Sequence, residues 1–288
     1  MVSRKLKPAV KETDENSDSR AYSYKIGPHK IIRGDSLSVL KKMKASSVDV
    51  IITSPPYNLG INYSAYKDRK KEEDYLDWLE AICLEIKRVM KDHGSFFLNI
   101  AGSSSNPWLP FELILRLRKI FHLQNHIDWI KSISIGDESY GHFKPVSSER
   151  FLHRNHEYIF HLTKSGCVKL SRLNIGVPYK DKSNITRRKH LQDRRCRGDV
   201  WFIPYDTVRA KAQKFNHPGT FPIMLPKMCL RLTGLENPTV LDPFLGTGTT
   251  LLAAQQEGGK GIGIDIDKNY IRISRDRLQR CLDIDATS

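Results

Sequence analysis

No two of the five cysteines (Cys83, Cys167, Cys196, Cys229 and Cys281) share a CxxC spacing, so neither a zinc site nor a disulfide framework is written into the chain. No run approaches the roughly 20 apolar residues of a membrane span, and Met1 to Lys25 has no apolar signal core. These absences predict a soluble cytoplasmic protein with reduced thiols, nucleoid-associated if its partner is DNA. A GxxxxGK[ST] element is also lacking, which argues against a triphosphate site. Acidic residues are scarce as well: 32 Asp and Glu face 47 Lys and Arg.

The resulting net charge of +15 favours a polyanionic partner, and its distribution narrows the choice. Residues 164–215 alone carry +10, two-thirds of the excess. Within them Arg187, Arg188 and Lys189, then Arg194, Arg195 and Arg197, precede Trp201, Phe202 and Tyr205. Clustered cations beside aromatic rings suit contact with a nucleic-acid backbone better than a plain solvated face.

Patterning and charge divide the chain into a polar mobile tail (1–22), a first half (23–163), a basic insertion (164–215) and a second half (216–288). Strands are predicted at 31–35, 48–52, 95–100, 126–131, 157–162, 239–241 and 261–265. Helices are predicted at 37–44, through Leu76, Leu79, Cys83, Ile86 and Met90 with Gly94 as a stop, and at 221–232, 249–256 and 270–282. Alternating strands and helices imply an α/β fold with a doubly wound, mostly parallel sheet. Ligands of such sheets bind beyond the carboxyl ends of the strands.

Two segments lie at such ends. After strand 239–241, Asp242-Pro243-Phe244-Leu245-Gly246-Thr247-Gly248-Thr249 turns sharply into a helix, and glycine lets a ligand approach the backbone closely. About twenty residues later Asp265 ends the next strand, where a carboxylate can accept from a ribose diol. The third glycine of a dinucleotide fingerprint is missing, so a nucleoside without phosphates, such as S-adenosylmethionine, fits best. After strand 48–52, Ser54-Pro55-Pro56-Tyr57 offers hydroxyl and carbonyl acceptors on a backbone stripped of N–H donors, beside a flat ring. A planar amine can donate to Ser54 Oγ and the Pro55 carbonyl while its ring system stacks on Tyr57.

In this order the segments resemble the beta group of bacterial S-adenosylmethionine-dependent DNA amino-methyltransferases, which accompany restriction systems. Ser54 to Tyr57 matches the family's [Asp/Asn/Ser]-Pro-Pro-[Tyr/Phe] element, and Asp242 to Thr249 matches its cofactor motif. Asp35 matches the acidic loop near the adenine, Asp265 the ribose-binding strand end, and His217, Thr220 and Phe221 the element around the methionine part. The resemblance spans residues 30–282. It implies a Rossmann-like methyltransferase fold, double-stranded DNA with a short recognition sequence as substrate, and a cognate restriction endonuclease acting on the same site. It further implies a catalytic role for 23–163, target recognition by 164–215 and cofactor binding by 216–288, and a flipped-out base whose amine attacks the cofactor's sulfonium methyl in line, S-adenosylhomocysteine leaving and the amine losing a proton. Serine at the first position goes mainly with cytosine N4 in this family, which makes cytosine N4 the first choice and adenine N6 the alternative.

Competing readings are a DNA-binding or regulatory subunit without catalysis, and methylation of a protein amide. Two intact motifs weigh against the first, and the concentrated positive charge weighs against the second. His153, His156 and His161 lack the company of other ligand types and read as strand-packing or surface residues, and Trp78 and Trp129 read as core. The chain is expected to act as a monomer or homodimer, without a metal and away from membranes.

Overall fold

The computed structural model describes residues 22–60, 68–143, 148–187, 192–205 and 220–285. The predicted tail therefore lies outside the described residues, except for Tyr22, which opens a strand, and so do His217, Arg188 and Lys189.

The first half runs β1 (Tyr22–Ile26), β2 (His29–Arg33), α1 (Ser36–Lys42), β3 (Val48–Thr53), α2 (Glu72–Val89), β4 (Met90–Ile100), α3 (Leu109–Leu117) and β5 (His122–Ile130). A small hairpin follows, β6 (Ser132–Ile135) with β7 (Glu138–Gly141), then β8 (His156–Thr163), α4 (Ser183–Arg187) and β9 (Val200–Phe202). The second half is α5 (Met224–Thr233), β10 (Thr239–Asp242), α6 (Thr249–Gln256), β11 (Lys260–Asp265) and α7 (Lys268–Asp285). A nine-stranded sheet takes the order β1-β2-β11-β10-β3-β4-β8-β5-β9. Strands β2, β11, β10, β3 and β4 are mutually parallel, and β8 enters antiparallel between β4 and β5.

The centre of the sheet follows from composition. Every residue of β3 (VDVIIT) is buried, as a strand covered on both faces requires. Val48 and Ile51 join the core under α1, α2 and α3, while Val50 and Ile52 join the core under α5 and α6. Helix α2 opens on Glu72, Glu73 and Asp74 and closes on Lys87 and Arg88, in the sense its dipole favours.

Because β3 leads through α2 to β4 on one side, and β10 leads through α6 to β11 on the other, the winding reverses between β3 and β10. These two strands pair directly, Val240 with Val50 and Leu241 with Ile51. The reversal opens a crevice at their carboxyl ends. Both sequence segments singled out above stand there, side by side.

Gly94 does not stop α2. The helix ends at Val89 and β4 begins at Met90, with Gly94 inside the strand, where a Cβ would come within 3.0 Å of the Asp49 carbonyl. Its lack of a side chain serves close strand approach next to the irregularity between Val48 and Val50. The basic segment is also less separate than its charge suggests. Its residues Val200–Phe202 form β9, parallel to β5, and Trp201 is buried in the core shared with α5. Trp201 is thus spent on packing and not on nucleic acid. Helix α3, the hairpin and β1 had no counterpart in the sequence reading.

Candidate active site

A cavity of about 310 Å³ occupies the crevice. Of the predicted residues, Ser54, Pro55, Pro56, Tyr57, Asp35, Thr220, Phe221, Asp242, Phe244, Gly246, Thr249 and Asp265 line it. Gly248 stands just behind as the N-cap of α6, with φ 85°.

The two walls are joined across nearly the whole chain. Thr53 Oγ1 at the end of β3 donates to Asp242 Oδ1 at the end of β10 (2.6 Å). Asp242 also accepts from Phe244 N (3.0 Å) and Thr250 Oγ1 (2.6 Å), and burial still pushes its carboxyl up to about 6. It acts here as a buried clamp that holds both loops. Ser36 Oγ ties the loop after β2 to the same place by donating to the Pro243 carbonyl (2.5 Å).

On the cofactor wall Asp265 accepts from Gly246 N on Oδ2 and from Asp267 N on Oδ1, both at 2.8 Å. Burial, opposed by these two bonds, raises its carboxyl to about 7. Each oxygen keeps a lone pair, so a vicinal diol can add two donors and favour the charged form. Asp35 caps α1 by accepting from Ser38 N (2.9 Å) and borders the cavity at the same time. Trp78, expected in the core, packs half-buried against it and lines the cavity as well: its ring packs on Phe244 at 5.6 Å between centroids and lies under Lys70 Nζ at 4.7 Å. Tyr270 of α7 completes this side.

The opposite wall contains a polar network that the motifs did not announce. Tyr57 Oη lies 2.8 Å from Ser54 Oγ and donates to Glu157 Oε2 at 2.9 Å. Asn99 Nδ2 donates to Tyr57 Oη and to Glu157 Oε2, both at 2.8 Å, and Lys131 Nζ stands 3.1 Å from Glu157 Oε1. Burial, then the Glu157 charge, holds the Tyr57 phenol well above its ordinary range, so it keeps its proton. Tyr75 Oη donates to the Pro56 carbonyl (2.7 Å), which fixes the Pro-Pro turn. Trp129, otherwise core, shows one face to the cavity beside Tyr205.

Arg187, Arg194, Arg195 and Arg197 do not line the cavity. Arg187, Arg194 and Arg195 are exposed, whereas Arg197 Nε donates to the Ile175 carbonyl (2.9 Å) and serves its own segment. His161 is strand packing, buried and stacked on Phe97. No cluster of metal-binding residues occurs among the described residues.

A crevice at the switch point of a doubly wound sheet, with acceptors for an amine on one wall and a glycine turn with a carboxylate that keeps lone pairs on the other, suits an enzyme that transfers a group from a nucleoside to an amine. A family model described as DNA methylase, of the N6/N4 methyltransferases, matches residues 48–276, and the chain belongs to that family. The DNA adenine methyltransferase YhdJ of Escherichia coli K12 is 33% identical over 260 residues, covering 86% of this chain and 82% of its own. The type II methyltransferase M.ScaI of Streptomyces caespitosus is 28% identical over 255 residues, covering 86% and 81%. Among solved structures, the cytosine-N4-specific PvuII DNA methyltransferase shares the fold with a TM-score of 0.66 at 17% identity, covering 88% of this chain and 91% of that one.

Proposed function

We propose that the chain transfers a methyl group from S-adenosylmethionine to the N4 amine of a cytosine flipped out of double-stranded DNA. Bound S-adenosylmethionine supplies an electrophilic sulfonium methyl. Asp265 would hold its ribose diol, Asp35 and Phe244 would flank its adenine, and Thr220 and Phe221 would border its methionine part. The observation that carries the reading is the juxtaposition of Ser54 to Tyr57 with Asp242 to Asp265 around one cavity.

The chain's own contribution is positional. Tyr75 holds the Pro56 carbonyl, and the acceptors proposed to meet a base amine are Ser54 Oγ and the Pro55 carbonyl. Arg187, Arg188, Lys189, Arg194 and Arg195 would lie along the DNA backbone, and the same DNA word would be the target of a cognate endonuclease. Adenine N6 is the second reading, favoured by the 33% identity to an adenine methyltransferase.

Expression of the protein followed by nucleoside mass spectrometry of the host DNA tests both, with Ser54→Ala as control. N4-methylcytosine that vanishes in the control is the expected result. N6-methyladenine would move the assignment to the second reading, and no modified base from folded, cofactor-binding protein would overturn both.

A further inference from the structure

The short contacts of the transfer wall select one proton arrangement over the longer alternatives, Tyr57 Oη to the Asn99 carbonyl at 3.4 Å and Asn99 Nδ2 to Ser54 Oγ at 3.3 Å, the second of which leaves Ser54 a further lone pair. Glu157 is buried, with Lys131 as counter-ion at Oε1, and a carboxylate accepts without donating. The single Tyr57 proton therefore goes to Oε2, the charged and stronger acceptor. The 2.8 Å contact between Tyr57 Oη and Ser54 Oγ must then be donated by Ser54, which uses its only proton. Asn99 is oriented by the same carboxylate: an amide oxygen cannot face it at 2.8 Å, so Nδ2 does, and Oδ1 is left buried without a partner among the described residues.

We propose that Glu157 is a positioning residue that sets the direction of these hydrogen bonds, so that Ser54 meets the base as an acceptor only and the site takes an amino group over a carbonyl. The inference rests on the reading that the target amine sits at Ser54. An exocyclic amine brings the donors this wall lacks. A carbonyl at the same position, as in uracil or hypoxanthine, opposes lone pair to lone pair and leaves both sides unpaired, a loss of about tenfold to a hundredfold in affinity.

Glu157→Gln reverses the circuit without changing its shape. Lys131 draws the new amide oxygen to itself, so the amide nitrogen faces Tyr57. Tyr57 then turns its proton to Ser54, and Ser54 can donate to a carbonyl.

The test begins by mapping the methylated word in host DNA. Binding is then measured with S-adenosylhomocysteine present, on one duplex with the natural target base and one with its carbonyl counterpart: uracil for cytosine, hypoxanthine for adenine. Using the same two duplexes for wild type and variant cancels the cost of opening a mismatched pair. Glu157→Gln is expected to reduce the preference for the amino base about tenfold or more and to lower kcat, with S-adenosylhomocysteine affinity unchanged. An unchanged preference overturns the proposal. If Glu157→Gln does not fold, Tyr57→Phe, which removes the acceptor of the Ser54 proton, must show the same loss of preference, and its failure to do so is equally fatal. A wild-type protein that modifies no base would instead defeat the functional reading on which the proposal rests.

Discussion

The two walls of the cavity are built by opposite means. The cofactor wall is local: Gly246, Gly248 and Asp265 lie within twenty residues, and backbone N–H groups supply most of its bonds. The transfer wall is assembled from distant side chains, with Ser54, Tyr57, Asn99, Lys131 and Glu157 brought in from four separate stretches of the chain. A wall made of backbone tolerates few substitutions at its glycines and many elsewhere, whereas a wall made of a side-chain circuit depends on each member's protonation and orientation.

The largest expected effect breaks the transfer wall alone. Ser54→Ala should lower kcat by roughly a hundredfold to a thousandfold, the scale of losing one preorganised polar partner, with S-adenosylmethionine affinity intact by calorimetry. Gly248→Ala strikes the other wall. At φ 85°, with a new Cβ 2.8 Å from that of Ser274, it should cost about 1–3 kcal/mol by chemical denaturation and weaken cofactor binding.

A smaller effect separates the walls by pH. With its carboxyl raised to about 7, Asp265 accepts a ribose diol best when charged, so S-adenosylmethionine affinity should climb as pH rises through about 7 and level off above, by at most about tenfold per unit. Stability of the free protein has the opposite sign. Asp242 and Asp265 have folded values above their unfolded ones, so folding favours their protonated forms, and the stability they contribute in acid is lost as pH rises to about 6 and 7 respectively. Melting curves with and without cofactor between pH 5.5 and 8.5 should show the two trends crossing.

The smallest effect lies outside both walls. Replacing Arg194 and Arg195 by alanine should flatten the salt dependence of DNA binding by about two in slope, whereas Arg197→Ala should lower melting temperature more than it changes that slope.

The same contrast explains what the sequence could convey. Strand-turn-helix chemistry at 239–265 and the Pro-Pro turn after β3 are contiguous, so their residues and ends were readable, as were most of the alternating elements. Glu157 was not, although its strand was placed correctly. It stands at the amino end of β8, and only the antiparallel entry of β8 between β4 and β5 carries that end to the carboxyl ends of the others. Strand direction in a sheet is a tertiary outcome, and no residue in 156–163 encodes it. Asn99 sat at the end of a predicted strand, but an asparagine there has no meaning until its partners are known. Trp78 was legible only in part: its helical spacing marks the core it packs against, and nothing in that spacing shows that its ring also covers the cavity's flank. Gly94 misled because a glycine after a helix usually caps it, and here the strand's close approach claims it.

Strand β9 has a practical consequence for anyone wishing to exchange the basic segment for that of a relative. The cationic segment does not return to the sheet as a neutral linker. Asp128 N bonds the Asp199 carbonyl, Trp201 is sealed in the core, and Tyr205 forms cavity wall. A segment transplanted from a relative should therefore be joined before Asp199, leaving 199–205 native. A junction placed later would exchange part of the cavity wall along with the basic segment.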